Sequence, residues 1–265
     1  MTRLYGVMVG ANCAVLSVYT TAHKYYNSTD KFTANYKKEG DASYTTIERN
    51  SNIFRFLYSG YEFDVYGLEP QTTYDIYVNV DSEESNHITF TTESLGVFNY
   101  ELTMRSDVTD VESGLSISLI NSFAENMVNI GYDITPHSTK YTPKFTACTN
   151  DYLVDKYGAQ AVTHGRDSYI EFDAYDTKLR TIIHEYRHLM FFSGGYNISY
   201  ASENAGSISD PNVLYKTFSF FSHNDNKTEI YMYYGENNCY DTQYLYDYFV
   251  LKAISNNPVT IVYGN

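Results

Sequence analysis

Tryptophan is missing from all 265 residues, and only five prolines and three cysteines are present. Cys13, Cys148 and Cys239 lie far apart with no CxxC spacing, which excludes both a cysteine-rich zinc site and a disulfide scaffold and leaves room for one bridge at most. Cations are also scarce. The 18 Lys and Arg stand against 32 Asp and Glu, giving a formal charge of -14, and that field repels phosphate backbones and anionic lipid surfaces. Nucleic acid and membrane surfaces are therefore excluded as expected partners. No run reaches the roughly 18 apolar residues of a spanning helix, so no membrane insertion is expected. The opening stretch, residues 1–24, has Arg3 ahead of apolar residues, but Gly6, Gly10 and Asn12 interrupt it. It reads as two strands rather than as a signal peptide.

What the chain has in quantity is aromatic surface: 30 Tyr and 15 Phe within a 43% hydrophobic composition. Tyr and Phe favour strands, and the phenol gives an apolar body a polar tip. The length allows one large domain or two ordinary ones, and the pattern changes along it. As far as about Glu93 it is short strands and turns: Leu4 to Val9, Ala14 to Tyr19, Phe32 to Tyr36, Ile47 to Tyr58, Tyr61 to Tyr66, Thr73 to Val80 and His87 to Thr92. Gly10-Ala11-Asn12 supplies the first turn. In Thr73 to Val80 the alternation is clean, and it predicts that Tyr74, Ile76, Val78 and Val80 face inward.

Just ahead of that strand, Leu68-Glu69-Pro70-Gln71-Thr72-Thr73-Tyr74 resembles the Leu-x-Pro-x-Thr-x-Tyr signature of fibronectin type III modules. The resemblance implies a tyrosine corner, in which the phenol packs inward while its hydroxyl reaches the backbone of the connecting turn. It also implies an all-β fibronectin type III-like sandwich over residues 1–93, acting as a spacer or docking unit. The buried Trp usual in that family has no counterpart here, so an aliphatic residue or Tyr has to fill its space.

Thr92 to Gly96 is a short polar link, after which helical spacing takes over. Leu115, Ile117, Leu119, Ile120, Phe123, Met127 and Val128 predict a helix within Val111 to Ile130, stopped by Gly131. A shorter helix is expected over Tyr152 to Tyr157, ended by Gly158, and a strand over Ser168 to Asp173. Asp176 is a capping residue for a helix from Thr177 to Phe192, which Ser193-Gly194-Gly195 ends. A further helix runs from Asp241 through Ile254.

The third of these helices carries His184-Glu185-Tyr186-Arg187-His188, an HExxH motif. Positions i and i+4 share a helix face, so both imidazoles can bind one zinc ion from the same side. Glu185 lies on the flank of that face, where it can act as general base toward a water that zinc has made acidic. The rest of the helix is apolar (Leu179, Ile182, Ile183, Leu189, Met190, Phe191, Phe192), and burying two histidines and a glutamate there is costly unless they are paired or metal-bound.

With that motif, residues 97–265 resemble the zincin-like zinc metallopeptidases, an α+β fold, and the alternating strand Tyr169 to Phe172 stands where their substrate-aligning edge strand does. The subfamily is open. Metzincins continue as HExxHxxGxxH, whereas here Phe191 and Gly194 occupy the Gly and third-His positions, although Ile230 to Gly235 is similar to the Met-turn of astacin-like members. Gluzincins take a third ligand from a later Glu, and Ser202-Glu203-Asn204-Ala205-Gly206-Ser207 is similar to that setting. Glu203 is therefore the candidate third ligand, with Asp210, Asp225 and His223 as rivals. The Gly-Thr-x-Asp setting of aspzincins is absent. His223, Tyr233 or Tyr234 is placed to stabilise the oxyanion, and Tyr234 is the catalytic candidate beside Glu185. Arg187 is expected to pair with an acid on the outer face of the helix. His164, in an expected loop, is assigned no function.

The expected protein is thus multidomain, with a zinc-dependent peptidase positioned by its N-terminal module on a scaffold or virion partner, and with protein or peptide as substrate. An extracellular or virion-associated setting is favoured. The rival class is a structural or adhesion protein, for example a virion component, that keeps the fold while activity is lost or incidental. A third possibility, purely structural zinc, would need four protein ligands.

Overall fold

The computed structural model describes residues 1–20, 31–50, 56–57, 60–135, 142–164, 169–194, 245–255 and 257–264. Its first part is built from β1 (Thr2–Val9), β2 (Cys13–Thr20), β3 (Lys31–Lys38), β4 (Thr45–Asn50), β5 (Phe56–Leu57), β6 (Gly60–Tyr66), β7 (Thr73–Val80), β8 (Glu83–Glu84) and β9 (Ile88–Thr91). One sheet runs β1-β2-β6-β5, and the other runs β4-β3-β7 with β8 and β9 pairing against β7. Every pairing is antiparallel. The two sheets enclose one apolar core that includes Leu4, Leu16, Phe32, Phe63, Val65, Ile76 and Phe90.

Strand β7 carries the alternation expected of it, with Tyr74, Ile76, Val78 and Val80 buried and the residues between them partly exposed. The hydroxyl oxygen of Tyr74 accepts the Glu69 backbone N–H at 2.8 Å. This is the tyrosine corner, and with the sheet order it makes the N-terminal part a fibronectin type III-like sandwich. No indole fills the core; Ala14, Leu16 and Val18 of β2 and the three phenylalanines do.

Strand β2 is buried on both faces, which alternation alone does not disclose. Ala14, Leu16 and Val18 enter the sandwich core, while Cys13 and Val15, joined by Met8 of β1, enter a second core with Phe98, Ile120, Phe123, Met127 and Tyr132. The first sheet is therefore a middle layer shared by two cores. Burial also pushes the Cys13 thiol pKa far above its ordinary value.

The polar link after the sandwich is stitched down by hydrogen bonds. Glu93 N–H donates to Gly10 O at 2.9 Å, Gly96 N–H to Val128 O at 2.9 Å and Val97 N–H to Tyr132 O at 2.8 Å. A Cβ on Gly96 would lie 2.2 Å from Tyr132 O, so only glycine allows this approach. The β1–β2 turn docks on the end of the helix that follows, since Ala11 and Asn12 N–H both donate to Asn129 O, at 2.8 and 3.1 Å.

Beyond the link come β10 (Glu101–Met104), α1 (Asp110–Asn129), β11 (Lys144–Cys148), α2 (Asn150–Tyr157), β12 (Ala161–His164), β13 (Tyr169–Asp173), α3 (Leu179–Gly194), α4 (Leu245–Ile254) and β14 (Thr260–Tyr263). A capping box between Thr109 and Glu112 starts α1, and Gly158 at φ 67° ends α2. The sheet order is β10-β11-β13-β12, parallel throughout the first three strands, with β12 antiparallel to β13. No described helix is long and apolar enough to cross a membrane.

Three features differ from expectation. The strand Tyr169 to Phe172 is interior, and the edge beside α3 belongs to β12, which includes the His164 expected in a loop. Helix α3 begins at Leu179, later than Thr177: the main-chain O of Lys178 takes the Thr181 and Ile182 N–H groups, at 2.9 and 3.3 Å, so Lys178 rather than Asp176 stands at its start. Finally, β14 returns to pair with β1, with Val262 opposite Val7 and Thr260 opposite Val9. The last strand of the C-terminal half thus completes the first sheet of the N-terminal half.

Candidate metal centre

Helix α3 is amphipathic: one side packs into the second core, and the less buried side carries His184 and His188, with the exposed Arg180 one turn ahead of them. Ile182, Ile183, Tyr186 and Leu189 are buried in the second core. Tyr186 anchors this side: its ring meets Phe98 and Phe123 at centroid distances of 5.8 and 5.2 Å, and its hydroxyl lies 3.3 Å from that of Tyr132. Burial holds its phenol pKa well above the ordinary value. With one side fixed in this way, the turn containing residues 184, 185 and 188 is held against β12.

His184 and His188 are half-buried and Glu185 is buried. The two imidazoles stand edge to face, with centroids 4.5 Å apart and planes at 88°, and their Nε2 atoms converge to 2.9 Å. Glu185 Oε1 is 3.8 Å from His184 Nε2. Its Oε2 is 2.5 Å from Thr163 Oγ1 of β12, and the same hydroxyl lies 2.8 Å from the Glu185 main-chain O. The ligating atoms of His184, Glu185 and His188 all fall within 4.8 Å of one another.

The donor set fits zinc. The two Nε2 atoms converge on one side of α3, where both could hold one ion. Imidazole nitrogen and carboxylate oxygen are both groups that zinc takes, and the described residues supply two imidazoles with one carboxylate alongside. Glu203, the expected third ligand, and Tyr234, the expected oxyanion partner, lie outside the described residues. So do their rivals Asp210, His223, Asp225 and Tyr233, the turn containing Met232, and the side chain of Arg187.

Two features escaped the sequence reading. Thr163 belongs to no motif, and the only hint of its strand is the short β-prone run Ala161-Val162-Thr163. On the opposite face of β13, Glu171 is buried and accepts from Tyr157 Oη at 2.9 Å, Tyr152 Oη at 3.3 Å and His164 Nε2 at 3.0 Å. His164 in turn stacks on Tyr169 at 4.2 Å. Burial alone would raise the Glu171 pKa, but the hydrogen bonds from Tyr157 and His164, with Lys156 nearby, outweigh it and hold the carboxyl below its ordinary value. This network ties α2 and β12 to β13 and so fixes the strand that meets Glu185.

No family model matches this chain, and no curated protein sequence matches it. Among solved structures it is similar to the sensor domain of the anti-sigma factor RsgI4 in Pseudobacteroides cellulosolvens, at 18% identity and a TM-score of 0.28, over 36% of this chain and 95% of that one. It is also similar to a redesigned β-sandwich protein, at 23% identity and TM-score 0.25 over 34% and 89% of the two chains. The fn3 domain of human contactin 1 matches at 14% identity and TM-score 0.27 over 34% and 73%.

Proposed function

We propose that the chain is a zinc-dependent metallopeptidase of zincin-like fold, with His184 and His188 as metal ligands, Glu185 as general base, and Glu203 and Tyr234 as third ligand and oxyanion partner. The observation that carries this reading is the convergence of two Nε2 atoms to 2.9 Å on one side of α3, beside a carboxylate held by a neighbouring strand. The mixed sheet supports it, because its antiparallel edge strand lies next to the histidine helix.

When bound, zinc would lower the pKa of water and polarise a scissile carbonyl. The chain's own residues do the rest. Glu185 takes a proton from the attacking water and returns it to the leaving amine nitrogen, and its near-complete burial strengthens the field at that point. The substrate is a protein or peptide. The sandwich, sharing its first sheet with the catalytic part, holds that part rigidly against a scaffold or virion partner in an extracellular or virion-associated setting.

A second reading is favoured by the same distance. At 2.9 Å one neutral imidazole can donate to the other with no ion between them, as in a structural or adhesion protein that keeps the fold without the activity. Metal analysis separates the two. The peptidase reading expects about one zinc per chain, loss of that zinc in His184→Ala and His188→Ala, and a Glu185→Gln variant that keeps zinc but no longer cleaves fluorescein-labelled casein. Zinc retained in either histidine variant, or casein cleavage undiminished in Glu185→Gln, sinks it.

A further inference from the structure

We propose that Thr163 is a positioning residue for Glu185: its hydroxyl holds one carboxylate oxygen so that the other stays turned toward the two imidazoles. The inference rests on the reading of Glu185 as general base and adds a residue that the motif does not contain.

The geometry begins with the strand. β12 pairs with β13 so that Thr163 stands opposite Ile170, and Ile170 is buried in the core that also takes Ile182 and Ile183 of α3. Thr163 therefore shares the face turned to α3, while Val162 and His164 point to the other face, where His164 meets Glu171. The threonine hydroxyl has one proton and two acceptors in reach, Glu185 Oε2 at 2.5 Å and Glu185 O at 2.8 Å. The carboxylate oxygen is the nearer of the two and takes it.

Glu185 has three side-chain torsions, and the last is broad. Tying Oε2 to a β-branched residue, itself stiff at χ1, restrains all three at once and leaves Oε1 on the histidine side, 3.8 Å from His184 Nε2. A base that must receive a proton at a defined point gains from such restraint, because small displacements of a reacting group cost rate steeply. The restraint comes from the sheet edge, whose own placement depends on the Glu171 network behind it.

Two variants separate positioning from mere packing: Thr163→Val keeps shape and volume but removes the donor, and Thr163→Ser keeps the donor. The measurements are zinc per chain, kcat and KM on fluorescein-labelled casein, and a crystal structure of zinc-free Thr163→Val. We expect near-stoichiometric zinc in both variants and, in Thr163→Val, Glu185 turned from the histidine pair or spread over rotamers. We expect kcat down by about 10- to 100-fold with KM within about twofold, and Thr163→Ser within about threefold of the parent. Glu185 unmoved in the Thr163→Val crystal, or Thr163→Ser as impaired as Thr163→Val, overturns the proposal. Should the parent hold no zinc, or Glu185→Gln cleave casein normally, the peptidase reading fails instead. The crystallographic orientation of Glu185 then decides the positioning role by itself.

Discussion

Lys252 is the sharpest test of how the two halves are joined. Its side chain is 1% exposed, and its Nζ engages the Glu93 carboxylate and donates to Ile130 O at 2.9 Å. It thus bridges α4, the link and the end of α1. Lys252→Met keeps most of the aliphatic stem and removes the charge. Taking one partner from a buried ion pair costs about 3–5 kcal/mol, and leaving a carbonyl without its donor adds about 1 kcal/mol. Two features pull the sum down. The Glu93 side chain is 21% exposed, so its stranded charge regains water, and Thr260 Oγ1 still donates to its Oε1 at 2.7 Å. The expected loss is about 3 kcal/mol, a large share of the roughly 5–15 kcal/mol that holds a domain together.

Urea unfolding at pH 7, followed by tyrosine fluorescence and far-ultraviolet circular dichroism, measures the loss. With an m-value of about 3 kcal/mol/M for a chain of this size, the midpoint falls by about 1 M. Because both cores meet at this junction, both probes should move together. Combining Lys252→Met with Glu93→Gln removes the stranded charge and should recover about half of the loss. A midpoint shift under about 0.3 M in the single variant, or equal losses in the single and double variants, would refute the reasoning that this pair clamps the junction.

Tyr74→Phe leaves the Glu69 N–H without its acceptor inside the sandwich rim and should cost about 1–2 kcal/mol in the same urea assay, with no change in zinc content. The Glu171 carboxyl, held below its ordinary value in the fold, stabilises the protein fully above the unfolded-state pKa of about 4.3. That contribution is lost as pH falls through the lower folded-state value. Glu171→Gln should therefore be less stable than the parent at neutral pH and show a shallower decline in acid, and parallel acid-unfolding curves would contradict the network.

The sequence alone reached the features that are local. Period-two alternation placed every inward residue of β7, because successive side chains of a strand alternate between faces whatever the strand packs against. The Leu-x-Pro-x-Thr-x-Tyr spacing placed Tyr74 under its own turn, five residues from its partner Glu69. The i, i+4 spacing put His184 and His188 on one side of α3, since helix geometry depends on neither partner nor metal.

Tertiary structure decided what joins distant parts of the chain. β10, β11 and β12 are strands of only four or five residues, too short for a period of two to stand out in a sequence window. β14 was not among the expected strands, and its partner is β1, some 250 residues earlier. Lys252 and Glu93 are 159 positions apart. Thr163 and Glu185 meet only because β12 runs antiparallel at the sheet edge, against the helix that carries the motif. A motif is written in the spacing of one element, whereas the group that orients it comes from whichever element the core brings alongside.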